Sequence, residues 1–143
     1  MNKKTPIRFH YISSCTLENR QRLKKFILAI FRKENRPLAA LTVVFCDDQY
    51  LLSLNQKFLN HDFFTDILSF PLSNPGEPLT GEIYISVDRV RENARSYGLT
   101  FKEEIHRIIF HGVLHFCGYK DKSRIDKYRM TTAESKYLKN YYS

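Results

Sequence analysis

The sequence predicts an α+β fold, a small mixed four-stranded sheet covered by about five helices. Three observations lead there. The apolar residues switch along the chain between alternation and helical spacing. The switches give the order β-α-β-α-β-β-α-α-α, with strands and helices partly interleaved and helices gathered at the end. One pair of strands is separated by turn residues alone, so part of the sheet is a hairpin.

Ile7-Arg8-Phe9-His10-Tyr11-Ile12 alternates and reads as the first strand. From Leu17 to about Glu34, Leu23, Phe26, Ile27, Ile30 and Phe31 fall at helical spacing among Arg20, Arg22, Lys24, Lys25, Arg32 and Lys33. This predicts a basic amphipathic helix capped by Thr16 or Ser14 and broken by Pro37. Ala40 to Cys46 is a dense β-forming run, expected as an interior strand. Asp47-Asp48 closes it and can cap a helix from Gln49 to Phe58.

Asn60 to Asp66 reads as a polar, aromatic loop, and Ile67-Leu68-Ser69-Phe70 as a short strand stopped by Pro71. Ser73 to Pro78 holds turn residues only, and Gly81 to Val87 is the fourth strand. Asp88 is expected to cap a helix to Tyr97, with Gly98 ending it. Thr100 with Glu103 forms a capping box for the next helix, which carries His111 and His115 along one edge. A last helix runs from about Lys122 to Tyr142.

At 143 residues the chain is expected to be one domain with its own core. No apolar run approaches the ~20 residues that span a bilayer. The N-terminal lysines are not followed by an apolar stretch of signal-peptide type. Cys15, Cys46 and Cys117 are odd in number and scattered, as expected of reduced thiols in the cytoplasm. The net charge of +8 is uneven: residues 1–36 carry +8, residues 37–118 carry −4 and residues 119–143 carry +4. Basic ends flank an acidic middle, a balance that favours a polyanionic partner.

The chemistry concentrates in His111-Gly112-Val113-Leu114-His115-Phe116-Cys117-Gly118-Tyr119-Lys120-Asp121. Histidines four apart leave one face of a helix, about 40° from eclipsed at roughly 3.6 residues per turn. Gly118 supplies a turn, and Asp121 is the first acidic side chain that can return over the two imidazoles. Two histidines and one carboxylate make three ligands for one divalent cation and leave a position open, the layout of a catalytic site. Zinc is the first choice, although the carboxylate makes harder cations more competitive. Asp126 and His61 are the rival third ligands. Gly112 stands where zinc peptidases of the HExxH kind carry their glutamate base, which disfavours proteolysis.

This stretch resembles the HGxLHLxGY signature of the YbeY family of metal-dependent endoribonucleases. Thr65-Asp66-Ile67-Leu68-Ser69-Phe70-Pro71 is similar to its T-[DN]-V-L-S-F-P strand, and Gly81-Glu82-Ile83-Tyr84-Ile85-Ser86 to its G-D-I-x-I-S strand. Leu54-Asn55, and Met130 with Glu134, fit further family positions. The resemblance implies an α+β fold with the helical histidines as zinc ligands. It implies single-strand-specific RNA cleavage, maturation of the 3′ end of small-subunit ribosomal RNA, and ribosome quality control. The ribosome, its proteins and assembly GTPases are the implied partners.

Two positions depart from the family pattern. Lys120-Asp121 replaces a usual Asp-His, so an aspartate stands where the third histidine would be. Leu59 stands where many members carry an arginine, leaving Lys57, Lys120 and Lys122 as the basic groups for RNA phosphate. Asp66 and Glu82, both in strand motifs, are the expected proton-transfer residues or partners of the ligands. Two alternatives stand beside the nuclease: a ribosome-binding factor with a structural metal, and a metallohydrolase of another phosphodiester.

Overall fold

The computed structural model describes residues 5–61 and 63–143; the N-terminal Met1-Asn2-Lys3-Lys4 and Asp62 of the aromatic loop lie outside the described residues. Among those described, four strands and five helices alternate in the expected order. They are β1 (Ile7–Tyr11), α1 (Arg20–Lys33), β2 (Leu38–Cys46), α2 (Asp48–Leu59), β3 (Ile67–Pro71), β4 (Leu79–Ser86), α3 (Val87–Tyr97), α4 (Phe101–Phe116) and α5 (Arg124–Tyr142).

The sheet order is β1-β2-β4-β3, so β2 lies inside the sheet as its apolar run predicts. β1 and β4 both pair with β2 in parallel. β3 pairs with β4 antiparallel, Ile67 opposite Ile85 and Pro71 opposite Gly81, which makes the expected hairpin and leaves β3 at an edge. The sheet is therefore mixed and the fold α+β.

Alternation assigns the two faces. Leu41, Val43 and Phe45 of β2 and Ile83 and Ile85 of β4 join the main core with Leu23, Ile27, Ile30 and Phe31 of α1 and Ile105, Ile109 and Val113 of α4. Cys46 and Leu68 point the other way and meet Leu51 of α2 in a smaller cluster. α4 sits unusually close to the sheet, and two glycines permit it. A Cβ on Gly112 would stand 2.8 Å from Ile67 Cδ1 and 2.9 Å from Ile83 Cδ1. A Cβ on Gly81 would stand 2.9 Å from Phe116 Cζ. The glycine beside His111 thus serves helix-to-sheet packing.

Three local expectations are corrected. α1 begins at Arg20, with Asn19 in the left-handed conformation and no side-chain cap, so neither Ser14 nor Thr16 caps it. It also stops at Lys33, before Pro37 is reached. Ser86, not Asp88, caps α3 by accepting from Arg89 N. Asp88 instead accepts from Asp48 N at 2.9 Å and ties α3 to α2. Asp47 caps α2, and the capping box of Thr100 and Glu103 is present.

Candidate metal centre

α4 carries His111 and His115 one turn apart, and their rings lie 4.9 Å centroid to centroid. The helix then ends in a Schellman motif: Tyr119 N bonds to Leu114 O at 3.0 Å and Gly118 N to His115 O at 3.1 Å. Gly118 takes φ +103°, which glycine adopts without a Cβ penalty. This reversal carries Asp121 back over the histidines. Asp121 Oδ2 lies 3.4 Å from His111 Nε2 and 3.3 Å from His115 Nε2.

The ligand atoms of His111, His115 and Asp121 all lie within 4.8 Å of one another. Two ligands at ordinary zinc distances and a tetrahedral angle are separated by about 3.4 Å. The two imidazole-to-carboxylate distances match that edge, so the donor set fits a small divalent cation. The rivals are otherwise engaged. Asp126 belongs to the Ser123 capping box that starts α5, and His61 stacks on Phe63 at 5.0 Å.

A buried polar chain stands behind His111. Its Nδ1 meets Glu134 Oε2 of α5 at 2.5 Å. A carboxylate can only accept, so Nδ1 is the donor in this contact, and Nε2, on the Asp121 side, is the ring atom left for a cation. Arg107 reaches Glu134 Oε1 at 3.3 Å and grips both oxygens of Glu104, at 2.7 and 2.6 Å. Glu104 is fully buried, and the paired carboxylates push the Arg107 pKa further up. Asn93 of α3 then links Glu104, at 3.3 Å, to Asp66 Oδ2, at 3.2 Å. Sequence reasoning assigned none of Asn93, Glu104 and Arg107, and Glu134 only a motif position. The signal was available: Glu134 interrupts the apolar stripe of Met130, Ala133, Tyr137 and Tyr141.

Asp66 lies across from the histidines. A cleft of about 480 Å³ is lined by Thr65, Asp66, Ile67, Ser69 and Pro71 on one side and His111, His115, Phe116 and Asp121 on the other. Burial pushes the Asp66 carboxyl above its ordinary range, against the opposing pull of Arg107 and His111. Glu82 is not part of this cleft. It accepts from Tyr84 at 3.1 Å on the sheet face turned toward α2, because neighbouring strand residues point to opposite faces. Nor does the cleft include the three lysines. Lys57 Nζ lies over the Phe58 ring, Lys120 lines a separate hollow with Glu34, Cys117 and Arg129, and Lys122 is exposed. Asp48, next to the Asp47 cap, accepts from Ser86 Oγ at 2.6 Å and from Arg89 Nε at 3.3 Å.

The family model described as Endoribonuclease YbeY matches residues 11–142. An Endoribonuclease YbeY of Flavobacterium psychrophilum is 41% identical over 136 residues, covering 95% of this chain and 96% of its own. One from Porphyromonas gingivalis is 43% identical over 114 residues, 80% of this chain and 75% of its own. A solution structure of a Thermotoga maritima protein superposes with a TM-score of 0.66 at 28% identity, covering 95% of this chain and 89% of that one. A family model over residues 11–142, with relatives 41% and 43% identical over 95% and 80% of the chain, places this chain, whose α4 carries the His-Gly-x-x-His pair, in the endoribonuclease YbeY family.

Proposed function

We propose that the chain is a metal-dependent endoribonuclease that cleaves single-stranded RNA in ribosomal RNA processing, with 3′-end maturation of small-subunit RNA and ribosome quality control as its setting. It acts as one domain over residues 1–143 in the cytoplasm, with the ribosome, its proteins and assembly GTPases as partners. The observation that carries the reading is the convergence of three ligand atoms within 4.8 Å at one side of an open cleft, in a chain of this family.

His111, His115 and Asp121 hold one divalent ion, zinc by first choice. When bound, the ion supplies Lewis acidity to a phosphoryl oxygen and lowers the pKa of water. Glu134 keeps the His111 ring in place and its Nδ1 protonated. Asp66, the residue before β3, faces the histidines across the cleft and moves the proton, a task suited to a carboxyl whose affinity for protons is raised by burial. Lys120 and Lys122, beside Asp121 in the chain, attract the phosphate backbone.

Chelator-treated protein tests the reading. Cleavage of a single-stranded ribosomal RNA fragment is expected to stop and to return with added zinc or manganese, while a duplex of the same sequence stays intact. Cleavage that persists at full rate after complete metal removal overturns the metal-dependent reading. Retained RNA binding without any metal-restored cleavage favours the non-enzymatic ribosome-binding factor.

A further inference from the structure

The loop that leads into the cleft carries two exposed aromatic rings in succession. Phe63 is 56% exposed and Phe64 45%. The next two residues, Thr65 and Asp66, already line the cleft. His61 stacks on Phe63 with its ring tilted by 23°. The guanidinium of Arg89 lies 5.1 Å from the Phe64 ring centroid, and Asp48 holds Arg89 at 3.3 Å. Exposed phenylalanines scattered singly are ordinary. Two in sequence at a cleft, one stacked by an imidazole and the other beside a fixed cation, call for an occupant.

Single-stranded nucleic acid fits this chemistry. Every base has a π-face that stacks on an aromatic ring, and a nearby guanidinium adds a cationic contact. The continuity of the loop with the cleft through Thr65 and Asp66, and the Arg89 guanidinium beside Phe64, favour a strand running out of the cleft over a separate apolar protein partner at this edge. A strand with one phosphodiester at the histidines must also continue past one end of the cleft, and Phe63 and Phe64 stand next to the Thr65 end. We propose that Phe63 and Phe64 form a stacking platform for unpaired bases flanking the scissile phosphodiester, with Arg89 as the cation beside it. The proposal rests on the endoribonuclease reading and adds a physical source for single-strand preference: bases in a duplex are stacked on each other and cannot reach the platform.

The test compares a labelled single-stranded RNA with an abasic strand of the same length, binding zinc-loaded protein in fluorescence anisotropy. The wild type is expected to bind the base-bearing strand roughly 10-fold or more tightly than the abasic one. The double variant Phe63→Ala/Phe64→Ala is expected to lose most of that preference while binding the abasic strand as the wild type does. Phe63→Tyr/Phe64→Tyr should keep it. Equal base preference in the alanine variant and the wild type overturns the platform, as does a wild type that binds both strands alike. Unchanged RNA binding with self-association lost in the alanine variant overturns it too and makes the patch a protein contact. Wild-type cleavage, assayed in parallel, separates the two failures: a wild type that neither binds nor cleaves RNA sinks the nuclease reading itself.

Discussion

His111 is constrained at both ring nitrogens, Nδ1 by Glu134 and Nε2 by its approach to Asp121. Removing the partner behind a metal-ligating histidine typically weakens metal affinity about 10- to 100-fold. Glu134→Ala is therefore expected to lose zinc affinity within that range, read by competition with a chromophoric chelator. Glu134→Gln, which can still accept through its carbonyl oxygen, should fall between. The His111-His115-Asp121 set was legible because all three residues lie within eleven positions joined by one helix and one turn. The Glu134-Arg107-Glu104 chain was legible only in part: Glu134 breaks the apolar stripe of α5, but α5 must pack on α4 before Glu134 meets His111. Gly112 shows a different limit. Its sequence neighbours point to the ligand, but its missing Cβ makes room for Ile67 and Ile83. Gly112→Ala should cost about 1–3 kcal/mol from overpacking, measured as a lower denaturant midpoint. It should also disturb the metal site, since the same helix turn carries His111.

At the scale of elements, α4 and α5 are joined at their far ends by a second histidine. His106 is buried, and its Nδ1 lies 2.6 Å from the Tyr142 hydroxyl. Burial lowers its pKa from the ordinary 6.5 to about 4; Lys102 adds to the effect and Glu18 opposes it. Between pH 6.5 and 4 the unfolded chain thus takes a proton that the folded chain refuses. The stability contribution is full above pH 6.5 and declines as the pH falls toward 4. Thermal melts across this range should show the decline, and His106→Gln should flatten it; an identical pH profile in the variant would count against the assignment. Element boundaries were legible where a side chain makes the local hydrogen bond itself, as Thr100 and Asp47 do. They were misread at α1, where Asn19, a residue type that tolerates the left-handed conformation, starts the helix without a side-chain cap bond, so the Ser14 and Thr16 hydroxyls were the wrong signal. Asp88 looked like a cap by type, yet the chain reaches helical geometry earlier and Ser86 takes the position.

Across the whole molecule, the mixed sheet works as a base that brings β3 and α4 to one cleft. Edge placement of β3 keeps that cleft open, and the hairpin to β4 fixes which β3 side chains face it. Glu82 was assigned to the site from its motif, but strand alternation sends it to the other face; only the register of the folded sheet reveals this. Net charge has its own consequence at this scale. RNA affinity should fall steeply with salt, linearly in log-log form, with a slope of roughly −0.7 per phosphate neutralised on a single strand. A salt-independent affinity would argue against a phosphate-led contact.

On the proposed function, the two histidines and Asp121 form a catalytic metal site. Metal content and cleavage of single-stranded ribosomal RNA, measured together for the wild type and Asp121→Ala, test it most directly. About one metal per wild-type chain is expected, with both metal and cleavage lost in a variant that keeps its fold by circular dichroism. A folded Asp121→Ala protein that retains its metal and its activity would contradict it.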